Sequence, residues 1–173
     1  VERIHNVRSW YFETSELKRA MLVGVTLLHQ KIGKLHLDVQ TDPLTGLRNR
    51  RGMDDALAVW QAAQHPFAVV TLDIDHFKRV NDTHGHGVGD QVLQRLAGLM
   101  RENARSDDVL CRVGGEEFLI LLPGASLEVA EQVAQRLRLL LEQTDIPPVG
   151  HITLSLGVAH WPQHGSEIAQ VLQ

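Results

Sequence analysis

The stretch Arg112-Val113-Gly114-Gly115-Glu116-Glu117-Phe118 constrains this chain more than any other. Apolar residues precede it at Val109 and Leu110 and follow it from Phe118 to Leu122, which predicts two strands joined by a tight turn. Two consecutive glycines suit the positive φ values of a two-residue hairpin turn, and they leave bare backbone where a flat ligand can lie close. Glu116 and Glu117 follow at adjacent strand positions, so strand alternation predicts that they point to opposite faces. On these residues alone, a solvent-exposed hairpin with charged flanks competes evenly with a site for a polar ligand or a cation.

The length bounds what can surround this hairpin. A chain of 173 residues accommodates one domain of roughly 130 residues plus an extension. Its 17 basic and 21 acidic residues leave a net charge of −4, which gives no support to nucleic-acid binding or to attraction toward an anionic membrane. A single cysteine, Cys111, has no internal disulfide partner, so a reducing, cytoplasmic setting is expected. No apolar run approaches the ~20 residues that span a bilayer, and there is no signal-peptide pattern. The sequence opens at Val1 in a helical pattern, so an upstream sensor or membrane tether is expected in the full protein.

From about Thr14 to Gln40 one long helix is predicted. Met21, Val25, Leu28, Ile32, Leu35 and Val39 recur at spacings of four and three, with β-branched residues at a and Met or Leu at d. That seam favours a parallel two-stranded coil, with a stutter where Leu17 falls out of phase. An amphipathic helix folded back on its own domain is the competing reading. Asp42-Pro43-Leu44-Thr45-Gly46-Leu47 ends the helix, since proline disfavours helical geometry at Asp42 and Gly46 permits a turn. We therefore divide the chain into residues 1–41, a signalling helix, and residues 42–173.

Within the second part a helix is predicted from Arg50 to Ala63, burying Met53, Leu57 and Trp60. The run Phe67 to Leu72 is short and β-branched enough for a buried strand, and it ends in Asp73-Ile74-Asp75. Carboxylates at the end of such a strand suit a metal at the sheet rim, although helix capping is the ordinary role for Asp75. Next come Lys78, Asn81-Asp82 and a glycine-punctuated loop from His84 to Asp90. Helices over Asp90–Asn103 and Leu127–Gln143, a strand over Ile152–Val158 and a helix start at Ser166 complete the pattern. Helices alternating with strands, with an antiparallel hairpin among them, predict an α/β or α+β domain on a central mixed sheet. If the strand ending at Asp73 lies beside the hairpin, Asp73 and Glu116 converge. Convergent carboxylates, a lysine and a glycine tip suit Mg²⁺-bound triphosphate, because Mg²⁺ takes one or two carboxylates plus substrate phosphates.

These blocks resemble the catalytic domain of the diguanylate cyclases, the GGDEF family, with glutamate at the third signature position. The resemblance runs through Asp42-Pro43-Leu44-Thr45-Gly46-Leu47, Asp73-Ile74-Asp75-His76-Phe77-Lys78, Asn81-Asp82 and His84-Gly85-His86. It continues through Gly89-Asp90, the Arg112–Phe118 hairpin and Ser155-Leu156-Gly157-Val158-Ala159. It implies a fold like the nucleotide cyclases and polymerase palms, and the condensation of two GTP into cyclic di-GMP across a homodimer. Asp73, Glu116 and the Ile74 carbonyl are then expected to hold two Mg²⁺ ions (or Mn²⁺), with Glu117 in the catalytic cluster. Asn81 and Asp90 are expected to read guanine, Lys78 and Phe77 with nearby amides to meet phosphates, and Gly114 and Gly115 to lie against the nucleotide.

The same resemblance implies that Arg105 and Asp108, an Arg-x-x-Asp pattern with five residues between Asp108 and Gly114, form the inhibitory product site, and Arg112 on the neighbouring strand is read as a second positive group there. The ordinary alternatives are a surface ion pair there and turn or cap roles for Asn81 and Asp90. His76, His84 and His86 are not expected to bind a transition metal. The family's phosphate-contacting Lys and Arg helix is expected beyond Gln173. A regulatory module that binds GTP or cyclic di-GMP without making it is the rival to the enzyme, and an ATP-using two-metal enzyme is a third reading.

Overall fold

A computed structural model describes residues 39–165, together with Met21, Val23 and Val25, and the chain divides into two compact units, Val1–Val39 and Gln40–Gln173. Met21, Val23, Val25 and Val39 are helical and exposed. Most of the predicted coil, and the helix start at Ser166, lie outside the described residues.

In the second unit, helix α1 spans Arg50–Ala62. Asn49 caps it by accepting from the Gly52 amide at 3.0 Å. Gly52 has no room for a side chain, because a Cβ there would meet the Gln40 carbonyl. Strand β1 (Phe67–Ile74) follows, then α2 (Phe77–His84) and α3 (His86–Asn103). The hairpin strands are β2 (Val109–Arg112) and β3 (Glu117–Pro123). Helix α4 (Leu127–Gln143), capped by Ser126, and strand β4 (Leu154–Trp161) complete the described elements.

The strands form one sheet in the order β2-β3-β1-β4, and every ladder in it is antiparallel. The expected mixed sheet is thus mixed only through an isolated parallel bridge between Arg48 and Cys111. β1 is central, running from the Phe67–Pro123 and Phe67–Trp161 pairs to Asp73 between Glu117 and Ser155. Strand alternation then sorts its side chains onto two cores. Ala68, Val70, Leu72 and Ile74 join the larger core with α2, α3 and α4. Phe67 and Val69 join a smaller one with Met53 and Leu57 of α1 and with Trp161.

Several element boundaries depart from the sequence reading, two of them by three residues or more. α3 begins at His86, four residues before the expected Asp90, because Gly85 alone breaks the chain (φ +84°). Gly87 and Gly89 are helical, and Gly89 is glycine for packing, since a Cβ there would collide with the Asn81 side chain. β4 runs to Trp161 rather than stopping at Val158, because its partner β1 continues to Phe67.

Candidate active site

The carboxylates meet where β1 and β3 end together. Asp73 and Glu117 are directly opposed across the β1–β3 ladder, which places them on one face of the sheet. Both are exposed, and both line a cavity of about 420 Å³ with Thr71, Leu119, Ser155 and Gly157 on its strands and Arg50 of α1 at its wall. Glu116, half-buried, lies in the turn rather than in β3, so the expected alternation of the two glutamates does not apply. Partial burial pushes its carboxyl above the usual glutamate range, and the negative charges of Asp73 and Glu117 push it further. Three carboxylates thus share one neighbourhood, as the strand order required.

The turn itself is not the two-residue hairpin anticipated. Val113 to Glu116 form the connection, closed by the Val113 amide donating to the Glu117 carbonyl at 3.0 Å. Neither Gly114 nor Gly115 has the left-handed φ that the sequence reading assigned to both. A Cβ at Gly114 would displace the Glu117 carboxylate, which folds over it; Gly115 faces open space.

Asp75 has a different part. Its carboxylate accepts from the hydroxyls of Thr153 and, at 2.6 Å, Ser155. These bonds hold it ionised below the usual aspartate range. It is neither a cap nor a free ligand: the N-cap of α2 is His76, whose side chain makes no capping bond and whose backbone is left-handed (φ 58°). α2 thus starts three residues after β1 ends. The Ile74 side chain is a hydrocarbon packed in the core, and its backbone carbonyl is the oxygen it has to offer a cation.

Beside this lies the α2–α3 pair. Asn81 and Asp90 sit inside helices, not at a turn and a cap, which removes those ordinary roles. The Asn81 side chain packs against Gly89, and its Oδ1 is buried with no hydrogen-bond partner. A buried acceptor without a donor is costly unless a ligand supplies one. Asp90 and Lys78 are exposed. Phe77 is 6% exposed, with its ring against Gly89, so of the expected substrate contacts it can provide only its backbone amide.

The second expected site lies at the other end of β2. Arg105 and Asp108 line a cavity of about 100 Å³ that also involves Asn103, Pro123, Gln132 and Arg136. The surface ion pair considered for them is not what forms: Asp108 accepts from the Arg105 backbone amide at 2.7 Å, which leaves the Arg105 side chain to the cavity. Arg136 of α4 went unnoticed in the sequence, because its helix gives no sign of facing this turn. Its guanidinium donates to the Asn103 carbonyl at 2.8 Å. Arg112 does not line this cavity, contrary to expectation. Its guanidinium is taken up by Asp42 and by the Gly115 carbonyl.

Among the described residues, no three His, Cys, Asp or Glu side chains are grouped so as to hold a metal by themselves. The donors present are carboxylate oxygens, the kind a hard divalent cation takes together with phosphate oxygens and water, so these residues fit such an ion.

Comparison with known proteins agrees with this geometry. The family model described as "Diguanylate cyclase, GGDEF domain" matches residues 39–173. The chain is 41% identical to the uncharacterized protein YhcK of Bacillus subtilis, over 71% of this chain and 37% of that protein. It is 42% identical to the diguanylate cyclase DgcP of Pseudomonas aeruginosa, over 73% of this chain and 20% of that one. It therefore spans well under half the length of these relatives. The crystal structure of the coiled coil and GGDEF domain of DgcB from Caulobacter crescentus in complex with c-di-GMP superposes with TM-score 0.75 at 29% identity, covering 87% of this chain and 83% of that one. The active GGEEF domain of a diguanylate cyclase from Vibrio cholerae superposes with TM-score 0.64 at 33% identity, covering 72% and 83%. The chain belongs to the GGDEF-domain family of diguanylate cyclases.

Proposed function

We propose that this chain is the catalytic domain of a diguanylate cyclase, which converts two GTP into cyclic di-GMP and two pyrophosphates. The observation that carries the reading is the crowding of Asp73, Glu116 and Glu117 at one end of β1, with the Glu116 carboxyl pushed up by partial burial and then by its neighbours' charges. In the reaction the 3′-hydroxyl of each GTP attacks the α-phosphorus of the other and expels pyrophosphate. Two Mg²⁺ ions, held by Asp73, Glu116 and the Ile74 carbonyl, would supply neutralisation of the triphosphate charge. Glu117, exposed beside Asp73, is placed to take a proton from the attacking hydroxyl. Lys78 and the first amides of α2 meet phosphate oxygens, as the N-terminus of a helix favours.

Choice of base follows from the α2–α3 pair. The unpartnered Asn81 Oδ1 and the Asp90 carboxylate are acceptors. Guanine presents N1–H and an exocyclic amine as donors, whereas adenine N1 is itself an acceptor. This orphan acceptor favours GTP over ATP.

Each domain holds one GTP, so two copies must face one another. The seam from Met21 to Val39 pairs them in parallel, and Leu28→Lys with Ile32→Lys should weaken the dimer and lower the rate. Cyclic di-GMP returns to the Arg105–Asp108 cavity, where Arg136 adds a second guanidinium for its phosphates. The test is incubation of the full-length protein with GTP or ATP and Mg²⁺, with cyclic dinucleotides read by mass spectrometry. Cyclic di-GMP from GTP alone is expected. Binding of GTP without any product would establish a regulatory module instead, and a product from ATP would remove the roles of Asn81 and Asp90.

A further inference from the structure

The hairpin tip has little to hold it. Gly115 has no atom within 4 Å of where a Cβ would stand, and Gly114 contributes no side chain. Glycine backbone is the least restrained in the chain. Yet this tip carries Glu116, which directly follows Gly115, to the end of the sheet where Asp73 and Glu117 stand.

We propose that Arg112, anchored by Asp42, is a positioning residue that grips the tip and fixes where the Glu116 carboxylate stands. Arg112 Nε and Nη2 donate to the Gly115 carbonyl at 3.2 and 2.8 Å, and Gly115 directly precedes Glu116. The third nitrogen, Nη1, donates to both Asp42 oxygens at 3.1 Å. All three guanidinium nitrogens are therefore committed, in a fork that lysine cannot reproduce.

The anchor is itself fixed. Asp42 Oδ2 accepts from the Thr45 amide and hydroxyl at 2.8 and 2.6 Å. The Thr45 carbonyl in turn accepts from Arg101 of α3. The Arg48 amide donates to the Leu110 carbonyl, and the Arg112 amide to the Arg48 carbonyl, which sews this first turn of the domain along β2. A rigid support behind a flexible tip is what precise placement of a ligand demands. Asp42 stands two residues after Gln40, where this unit begins.

The proposal rests on reading the hairpin as the metal-bearing end of the cyclase site, and the test separates the two. Arg112→Lys and Asp42→Asn are compared with wild type in the full-length protein. Asp42→Asn keeps an acceptor for Thr45 and for Arg112 but removes the charge that anchors the guanidinium, whereas Arg112→Lys keeps the charge and loses the fork. Hydrogen exchange over residues 113–118 is read against β1, melting temperature is recorded, and Mn²⁺ affinity in the presence of an α,β-methylene analogue of GTP is measured by electron paramagnetic resonance. Arg112→Lys should speed hairpin exchange about tenfold and weaken Mn²⁺ binding about tenfold, with β1 exchange unchanged. Asp42→Asn should loosen the hairpin in the same direction by a smaller factor, with β1 exchange again unchanged. Wild-type hairpin exchange in Arg112→Lys, or a loss of protection in β1 equal to that in the hairpin, overturns the positioning role. A wild-type protein that binds no Mn²⁺ overturns the functional reading instead, and hairpin exchange still reports on the grip of Arg112.

Discussion

The two ends of β1 share a face and differ in almost everything else. Phe67, Val69, Thr71 and Asp73 alternate onto the same side of the sheet, yet Phe67 is fully buried and Asp73 is exposed. At the first end Phe67 stacks on Trp161 with ring centroids 5.9 Å apart and meets Trp60 at 5.5 Å. At the other, Asp73 lies between Glu117 and Ser155. Helix α1 covers the aromatic end and leaves a cavity over the acidic one. One end stores stability and the other spends it on a cluster that repels itself.

The sharpest way to break this contrast is to remove charge at the acidic end. Asp73→Asn and Glu116→Gln should each lower cyclic di-GMP synthesis by about a hundredfold or more, since a metal contributes several kcal/mol to such a transition state. Circular dichroism should show the fold intact. Near-normal rates would take that carboxylate out of the site, and unfolding would make it structural. At the aromatic end the outcome should invert. Phe67→Ala should cost about 3–5 kcal/mol in denaturant unfolding, a large part of the stability of a domain this size. The surviving folded fraction should keep its rate per folded molecule.

A smaller effect joins the two measurements. A glutamate whose carboxyl is raised in the folded state binds its proton more tightly there than in the unfolded chain. Its stabilising contribution is therefore present in acid and is lost as pH rises through the raised value. In metal-free buffer near neutrality, Glu116→Gln should melt above wild type, and the gap should close as pH falls below the ordinary glutamate value of 4.5. A variant that melts lower than wild type at pH 7 would mean the cluster is not repulsive. The smallest change belongs to the aromatic end's rim, where Pro123, the partner of Phe67, also lines the Arg105 cavity. Arg105→Ala should shift the half-inhibiting concentration of cyclic di-GMP about tenfold upward, the worth of one charge-assisted bond. Superimposable curves of initial rate against added product would reduce Arg105 to a surface charge.

How far the sequence carried this picture depended on the kind of signal. The run Phe67–Leu72 and the period of Leu127–Gln143 are local patterns, and both elements stand where they point. The convergence of Asp73 with the hairpin followed once strand order was assumed. The glycines misled. Gly114, read as a demand for positive φ, instead lies under the Glu117 carboxylate, and Gly89 answers to Asn81. A glycine's reason often lies in a neighbour distant in the chain, which no window reveals. Arg112 was misplaced for the same cause, its partner Asp42 being 70 residues away. Arg136 is invisible in a helix whose period marks only the face it buries.

The all-antiparallel sheet bears on how the site comes into being. β2 and β3 are joined by four residues, so their hairpin closes a short loop. β1 must instead find partners as distant as Glu117 and Trp161. Short loops close early and long-range pairings late, because chain entropy is lost before contacts repay it. The order expected is a hairpin that forms first and a central strand that docks afterward between β3 and β4. Asp73 then reaches Glu116 and Glu117 only at that last docking. A nascent or partly folded chain holds a glycine hairpin with two glutamates and no third carboxylate beside them. On this order, the unfinished domain has no assembled site with which to consume nucleotide.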